Sequence, residues 1–302
     1  MADIKLFSIS CEVREIKSSS VSLEKELQAL IETNMETFFG VRFLDTEYRI
    51  TNGRIDSIGL DENNCPVIFE YKRSSNENVI NQGLFYLDWL LDHKADFYVL
   101  VLNKLGKTIA DEIDWSMPCV ICIASDFTKF DEHAVNQMQR NIKLVRYKKY
   151  NNTHLLFEQL NAPSVSPISL EESGDKSGKG KGASTSNVTF KGNYAKAPDA
   201  MKTLFAGLRD YIVSLGDDVS VNELKLYVAF KKVRNFVCVE IYNKYVIMQM
   251  HLDPKTVELI PDFTEDYSQK GHWGTGDLRV TIKTPEDLKR VKPLIERAYN
   301  EN

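Results

Sequence analysis

The chain has 302 residues, with 38 Lys and Arg against 43 Asp and Glu, a formal net charge of −5 and 43% hydrophobic residues. That composition excludes a collagen-like, disulfide-scaffolded or wholly disordered protein, and no stretch approaches the roughly 18 uncharged apolar residues of a membrane span. Five cysteines, an odd number scattered through apolar or turn segments, argue against a secreted disulfide framework, and the N-terminus lacks an apolar signal-peptide core, so a cytoplasmic protein is expected.

At this length about two domains are expected. In chain order, Ile4 to Ile9 reads as a strand. Ser22 caps a helix with Leu23, Leu27, Leu30, Ile31 and Phe38 at helical spacing, stopped by Gly40. Arg42 to Thr51, Arg54 to Leu60 and Pro66 to Arg73 read as three strands, followed by a helix from about Glu77 to Leu91 and a strand over Phe97 to Leu102. A strand at Val120 to Ala124, a helix near Glu132 to Arg140 and a last strand, Ile142 to Tyr147, complete residues 1–160 as a mixed α/β sheet with helices on its faces.

From 161 to 189 the sequence turns to Ser, Gly, Pro and Lys with almost nothing to bury, the composition of a flexible linker. Residues 190–302 then read as a small α+β domain: a helix Ala200 to Val213 burying Met201, Leu204, Leu208 and Ile212, β-rich runs Leu224 to Phe230, Phe236 to Ile241 and Tyr245 to Leu252, a strand Leu278 to Ile282 and a closing helix Pro285 to Tyr299. Neither part is strongly basic, so any nucleic-acid binding has to rest on a local patch.

The residues that carry chemistry lie between Gly53 and Lys72, two strands flanking the turn Asp61 to Cys65. Side chains alternate along a strand, so Glu70 and Lys72 share a face while Val67, Phe69 and Tyr71 take the other. If the hairpin pairs Leu60 with Pro66 or with Ile68, Asp56 falls opposite Glu70 or Lys72, and two carboxylates and an ammonium converge. That grouping suits Mg²⁺ or Mn²⁺ beside a substrate phosphate, with Lys72 holding or deprotonating a water. A solvated hairpin face carrying an Asp–Lys pair is the alternative. On the following helix Gln82 and Tyr86 stand four apart and share a face.

This order of a strand Asp, a strand Glu-x-Lys and a helix Gln-x-x-x-Tyr resembles the PD-(D/E)XK nuclease superfamily, in particular its RecB-like and NucS-type branch, over roughly residues 20–105. The resemblance implies a restriction-endonuclease-like sheet and Mg²⁺- or Mn²⁺-dependent phosphodiester hydrolysis in DNA defence, restriction or repair. It assigns Asp56 and Glu70 to the metal, Lys72 to the attacking water, Glu24 to the metal's surroundings with Glu26 competing, and Gln82 to orienting the site. Arg54, Arg73 and Tyr86 are the expected nucleic-acid contacts, DNA the expected partner, and a homodimer the expected form for cutting both strands. The alternative is a nucleic-acid-binding or protein-interaction module that keeps the shape without cleaving.

Elsewhere, Cys119-Val-Ile-Cys122 has metal-like spacing but no second pair and reads as a buried strand. The basic run Lys143 to Tyr150 reads either as a phosphate-tracking strand or as a lysine-protected sheet edge. Residues 195–300 resemble an uncharacterised α+β domain, similar to the YjbR-like fold, that is also found fused to restriction and defence proteins. In it, Gly271-His-Trp-Gly-Thr-Gly276 reads as a ligand loop around His272 and Trp273, or as a tight turn that packs the Trp into the core.

Overall fold

The computed structural model describes residues 4–9, 12–19, 24–72, 78–138, 140–151, 153–161 and 189–302. The expected linker, apart from its ends, and the expected contributions of Ser22 and Arg73 lie outside the described residues. The chain forms two compact units, one of Met1–Asp61, Pro66–Ile113 and Pro118–Pro163, the other of Glu62–Cys65, Asp114–Met117 and Ser164–Asn302.

The first unit has the mixed α/β architecture that the element pattern implies. After a small hairpin, β1 (Leu6–Ser8) with β2 (Arg14–Ile16), come β3 (Ser18–Ser19), α1 (Glu24–Thr33), α2 (Met35–Phe39), β4 (Val41–Ile50), β5 (Gly53–Asp61), β6 (Pro66–Lys72), α3 (Asn78–Asp92), α4 (Lys94–Leu105), α5 (Lys107–Asp111), β7 (Cys119–Ala124), α6 (Lys129–Gln137), β8 (Ile142–Tyr150) and β9 (His154–Gln159). The sheet order is β3-β8-β7-β6-β5-β4, with β9 also on β8. The β4, β5 and β6 pairings are antiparallel, whereas β6, β7 and β8 run parallel through helical crossovers. Leu27 and Ile31 of α1 pack with Met35 and Phe39 against Val67, Phe69 and Tyr71, the odd-numbered face of β6. On the opposite face α3 comes close to β7 because position 83 is glycine: a Cβ there would lie 2.6 Å from Val120 Cγ1.

Three local expectations are corrected. Phe97 to Leu102 is not a strand but the middle of α4, where Phe97 and Val101, one turn apart, are buried and Val99 points outward. Its apolar run is continuous, and such a run has no period that separates strand from buried helix. The run Lys143 to Tyr150 is no sheet edge, since β8 is paired by β7, β3 and β9. Its Arg146 is buried and bonded to Glu158 and Asp126, so it serves the fold rather than a phosphate track. The strand expected last, Ile142 to Tyr147, extends to Tyr150 as β8 and is followed by β9, which returns along it.

The second unit contains α7 (Phe190–Lys196), α8 (Asp199–Val213), β10 (Ser220–Glu223), β11 (Val228–Lys231), β12 (Asn235–Ile241), β13 (Val246–Met250), β14 (Thr264–Asp266), β15 (Leu278–Ile282) and α9 (Pro285–Glu301). The run expected as one strand from Leu224 to Phe230 is strand only from Val228, where β11 begins; Leu224 to Tyr227 form the turn that joins it to β10, the Leu224 amide donating to the Tyr227 carbonyl at 2.9 Å. The six strands form an antiparallel sheet in the order β10-β11-β12-β13-β15-β14. Val246, Met248, Met250, Leu278, Val280 and Ile282 face a core shared with Leu204, Leu208 and Ile212 of α8 and Val291 and Ile295 of α9. The intervening side chains, Ile247, Gln249, Arg279 and Thr281, necessarily point to the other face.

The glycine-rich loop before β15 has a structural reason for its glycines. Gly274 and Gly276 adopt φ of 78° and 113°, and a Cβ on Gly276 would lie 2.4 Å from the Met250 carbonyl carbon. The neighbouring Trp273 is nevertheless 51% exposed, so the loop does not pack its Trp into the core.

Candidate functional site

The hairpin pairs Leu60 with Pro66 and Ser57 with Phe69, the first of the two registers considered, which carries Asp56 opposite Glu70. At this end the β5–β6 ladder changes character. The Tyr71 amide donates to Asp56 Oδ2 at 3.1 Å, and the Asp56 amide donates to Glu70 Oε1 at 3.3 Å. Each carboxylate thus accepts an amide of the opposite strand, taking over a task that backbone carbonyls perform further along the sheet. The two carboxyl groups are close enough that each acts on the ionisation of the other.

Burial dominates the electrostatics. Glu70 is 1% exposed, and desolvation, reinforced by the Asp56 charge, pushes its carboxyl from the ordinary 4.5 up to about 9. Asp56 is raised as well, by burial first, against the lowering effects of the Tyr71 amide and Lys72. Two adjacent buried carboxyls cannot both ionise without a compensating cation, so in the metal-free chain they favour sharing a proton.

Lys72, two residues along β6 on the same face, places Nζ 3.7 Å from Glu24 Oε1 in the first turn of α1. The sequence-expected Glu24 is therefore brought to the lysine. The competing Glu26 pairs instead with Lys149, at 3.8 Å. On α3, the Gln82 Oε1 is buried without a hydrogen-bond partner among the described residues, and Tyr86 on the next turn is buried over the Gly53–Arg54 backbone, its hydroxyl bonded to the Arg54 amide. The Asp56 and Glu70 charges both act on Tyr86. Arg54 forms an exposed ion pair with Glu47 at 3.2 Å.

Sequence reasoning gave Gln28 no role. It is buried on α1, one turn beyond Glu24, and its amide nitrogen reaches the Asp56 carbonyl at 2.9 Å, Glu32 Oε1 at 2.9 Å and Thr46 Oγ1 at 3.2 Å. Nearby, the fully buried Ser57 hydroxyl donates to Glu32 Oε1 at 2.6 Å and lies 3.1 Å from the Tyr71 hydroxyl. These contacts tie α1 to the strand that carries Asp56. The signal available in the sequence was a polar residue interrupting the apolar face of an amphipathic helix.

Among the described residues no group of three or more His, Cys, Asp or Glu side chains forms a metal cluster. The donors at hand are the Asp56 and Glu70 carboxylates, hard oxygens of the type that Mg²⁺ and Mn²⁺ bind through one or two protein groups while keeping waters and substrate phosphates. The pair fits such an ion. Cys119 and Cys122 lie in the fully buried β7, and Cys119 belongs to the α1-side core while Cys122 meets α3, so they do not form a chelating pair.

Residues 191–302 match the family described as a domain of unknown function, DUF5655. The chain is 29% identical over 293 residues to an uncharacterized protein of Haemophilus influenzae, covering 96% of this chain and 97% of that one. Among solved structures it is similar to the EndoMS complex with double-stranded DNA, at 18% identity, 42% of this chain, 47% of that chain and a TM-score of 0.29. A repair endonuclease from Pyrococcus abyssi is similar at 18% identity over 44% of this chain and 51% of that one, with a TM-score of 0.29. The chain spans about half the length of the solved structures it matches.

Proposed function

We propose that the first unit is a metal-dependent nuclease of the PD-(D/E)XK type that hydrolyses phosphodiester bonds in DNA, acting in the cytoplasm in defence, restriction or repair. The observation that carries this reading is the Asp56–Glu70 pair at the end of the β5–β6 ladder, with Lys72 on the same face. Asp56 and Glu70 would hold Mg²⁺ or Mn²⁺, which when bound supplies positive charge at the phosphate and makes a bound water more acidic. Lys72 holds the attacking water beside the phosphate and offsets the charge that develops there. Glu24 keeps the Lys72 ammonium in place, and Gln82 orients a donor at its buried oxygen. Tyr86 fixes the start of β5 and, through it, Asp56. Cleavage of both strands of a duplex would use a pair of chains.

The deciding experiment incubates the full chain with single-stranded, duplex and branched DNA and with RNA, in Mg²⁺, Mn²⁺ or EDTA. The expected result is metal-dependent cleavage of DNA that Asp56→Asn, Glu70→Gln and Lys72→Ala each reduce by about 100-fold or more. Cleavage that persists in Lys72→Ala would overturn the mechanism. Binding without cleavage in either metal would instead leave a non-cleaving nucleic-acid module.

A further inference from the structure

On the second unit's sheet, the face turned away from α8 and α9 carries a cleft of about 550 Å³ lined by Tyr245, Ile247, Phe263, Arg279, Thr281 and Lys283 among others. Among the described residues, no helix of this unit packs over it. A sheet face left to water is ordinarily covered by single polar side chains. This one is built differently. The Arg279 guanidinium stacks on the Tyr267 ring with Cζ 3.4 Å from the centroid and donates from Nη1 to the Tyr267 hydroxyl; with the amide of Gln249, 1% exposed, turned so that its oxygen faces the guanidinium, Nε and Nη2 also donate to it at 3.0 and 2.8 Å. Glu240, also buried, accepts from the Tyr242 hydroxyl at 2.5 Å, and the Tyr242 and Tyr245 rings meet at 5.2 Å. Tyr267 continues to the His272 ring at 6.0 Å, next to the exposed Trp273. Buried polar groups thus hold one arginine rigidly at a cleft with aromatic walls.

Arg279 and Lys283 bring two cations to the lining; of the nearby carboxylates, Glu265 is engaged by Lys270, outside the lining, Glu240 lies buried within reach of the Arg279 charge, and Asp262 is exposed. The volume is far larger than a phosphate needs, and Tyr245 adds an aromatic ring and Ile247 an aliphatic side chain to the lining. A ligand that uses both features has a planar ring and an anionic group. We propose that this cleft binds a single nucleotide, its phosphate at Arg279 and Lys283 and its base against Tyr245, either as a free mononucleotide or as an unpaired nucleotide of a strand. Stacking of bases on aromatic residues of an antiparallel sheet, with basic groups at the phosphate, is a recurrent physical solution to that problem. The inference does not depend on the nuclease reading, because it uses no residue of the first unit.

The test uses the full chain and Trp fluorescence or equilibrium dialysis, with adenosine 5′-monophosphate, adenosine, inorganic phosphate and a five-nucleotide single strand as probes. The monophosphate or the strand should bind, phosphate and adenosine should each bind at least tenfold more weakly, and Tyr245→Ala and Lys283→Ala should each weaken binding by roughly tenfold. Lys283 is exposed and its backbone, not its ammonium, engages the α9 cap, so Lys283→Ala retains the fold. An unchanged melting temperature checks this. Binding of the strand alone would assign the source to nucleic acid, and binding of the monophosphate alone to a free nucleotide. Phosphate binding as tightly as the nucleotide, no binding of any probe, or binding indifferent to both substitutions would each overturn the proposal.

Discussion

At the scale of single residues, the Glu70 carboxyl makes the sharpest prediction. It ionises near pH 4.5 in an unfolded chain and near 9 in the metal-free fold, so the folded state binds the extra proton. Its contribution to stability is therefore fully present below pH 4.5 and is lost as pH rises through 9. The metal-free protein should lose melting temperature across that window, and Glu70→Gln, neutral at every pH, should flatten the loss. Each tenfold difference in proton affinity between the folded and unfolded chain is worth about 1.4 kcal/mol. Thermal melts of both proteins in EDTA at pH 5, 7 and 9 measure the difference; parallel profiles would contradict the buried-pair description. Added Mg²⁺ should stabilise the unsubstituted protein more as pH rises and leave Glu70→Gln nearly unaffected. Gln28→Leu is a second residue-scale test. It removes the bond to the Asp56 carbonyl while keeping volume, and should cost about 1–3 kcal/mol by leaving buried acceptors unsatisfied. A denaturant titration reads that number directly.

At the scale of elements, the position of α3 depends on a residue with no side chain. Gly83→Val places atoms where Val120 Cγ1 already stands, and α3 must move off β7. Overpacking of this kind costs about 1–3 kcal/mol. Because Gln82 and Tyr86 ride on the same helix, the variant should lose more activity than its remaining folded fraction explains, which parallel circular dichroism and cleavage assays would detect. A variant that keeps full activity would separate α3 from the site. Helix α9 supplies a control distant from any proposed chemistry: Thr284 caps it in a capping box with Asp287, and Thr284→Ala should cost about 1 kcal/mol with no effect on cleavage.

At the scale of the whole molecule, the second unit includes two short segments from early in the chain, Glu62–Cys65 and Asp114–Met117. Within that unit Asn235 is fully buried; its amide nitrogen donates to Asn63 Oδ1 at 2.7 Å and Thr275 Oγ1 at 3.0 Å, and its backbone amide to Glu62 Oε2 at 2.9 Å. A fragment of residues 189–302 lacks those early segments, so it should melt lower than the same unit does in the intact chain. Asn235→Ala in the intact chain should reproduce part of the loss, about 1–3 kcal/mol. Equal melting temperatures for fragment and intact unit would show the early segments to be energetically neutral. DNA binding, if it occurs at the net charge of −5, must use few phosphate contacts, and log affinity against log salt should fall with a slope of about −0.9 per contact.

Much of the fold was legible because apolar periodicity reports burial whatever the neighbours are. The strands carrying Asp56 and Glu70, the helix carrying Gln82 and Tyr86, and the strand Leu278–Ile282 all lie where their patterns place them. Residue type also spoke for itself at Asp56, Glu70 and Lys72, since two carboxylates and an amine on adjacent strands admit few arrangements. What local pattern could not decide was anything set by a partner distant in sequence. The Phe97 to Leu102 run is helical because α4 offers only Phe97 and Val101 to the interior, a choice made by the packing around it. Arg146 became a buried structural cation because β9 returned with Glu158, and Glu24 rather than Glu26 met Lys72 because α1 sits on the sheet in one rotation. Gln28 joined the site through bonds to residues 18 and 28 positions away. Sequence alone determined which polar and charged residue types shared a strand or helix face; tertiary structure decided which of them meet, because burial and pairing are properties of contacts that only the folded chain makes.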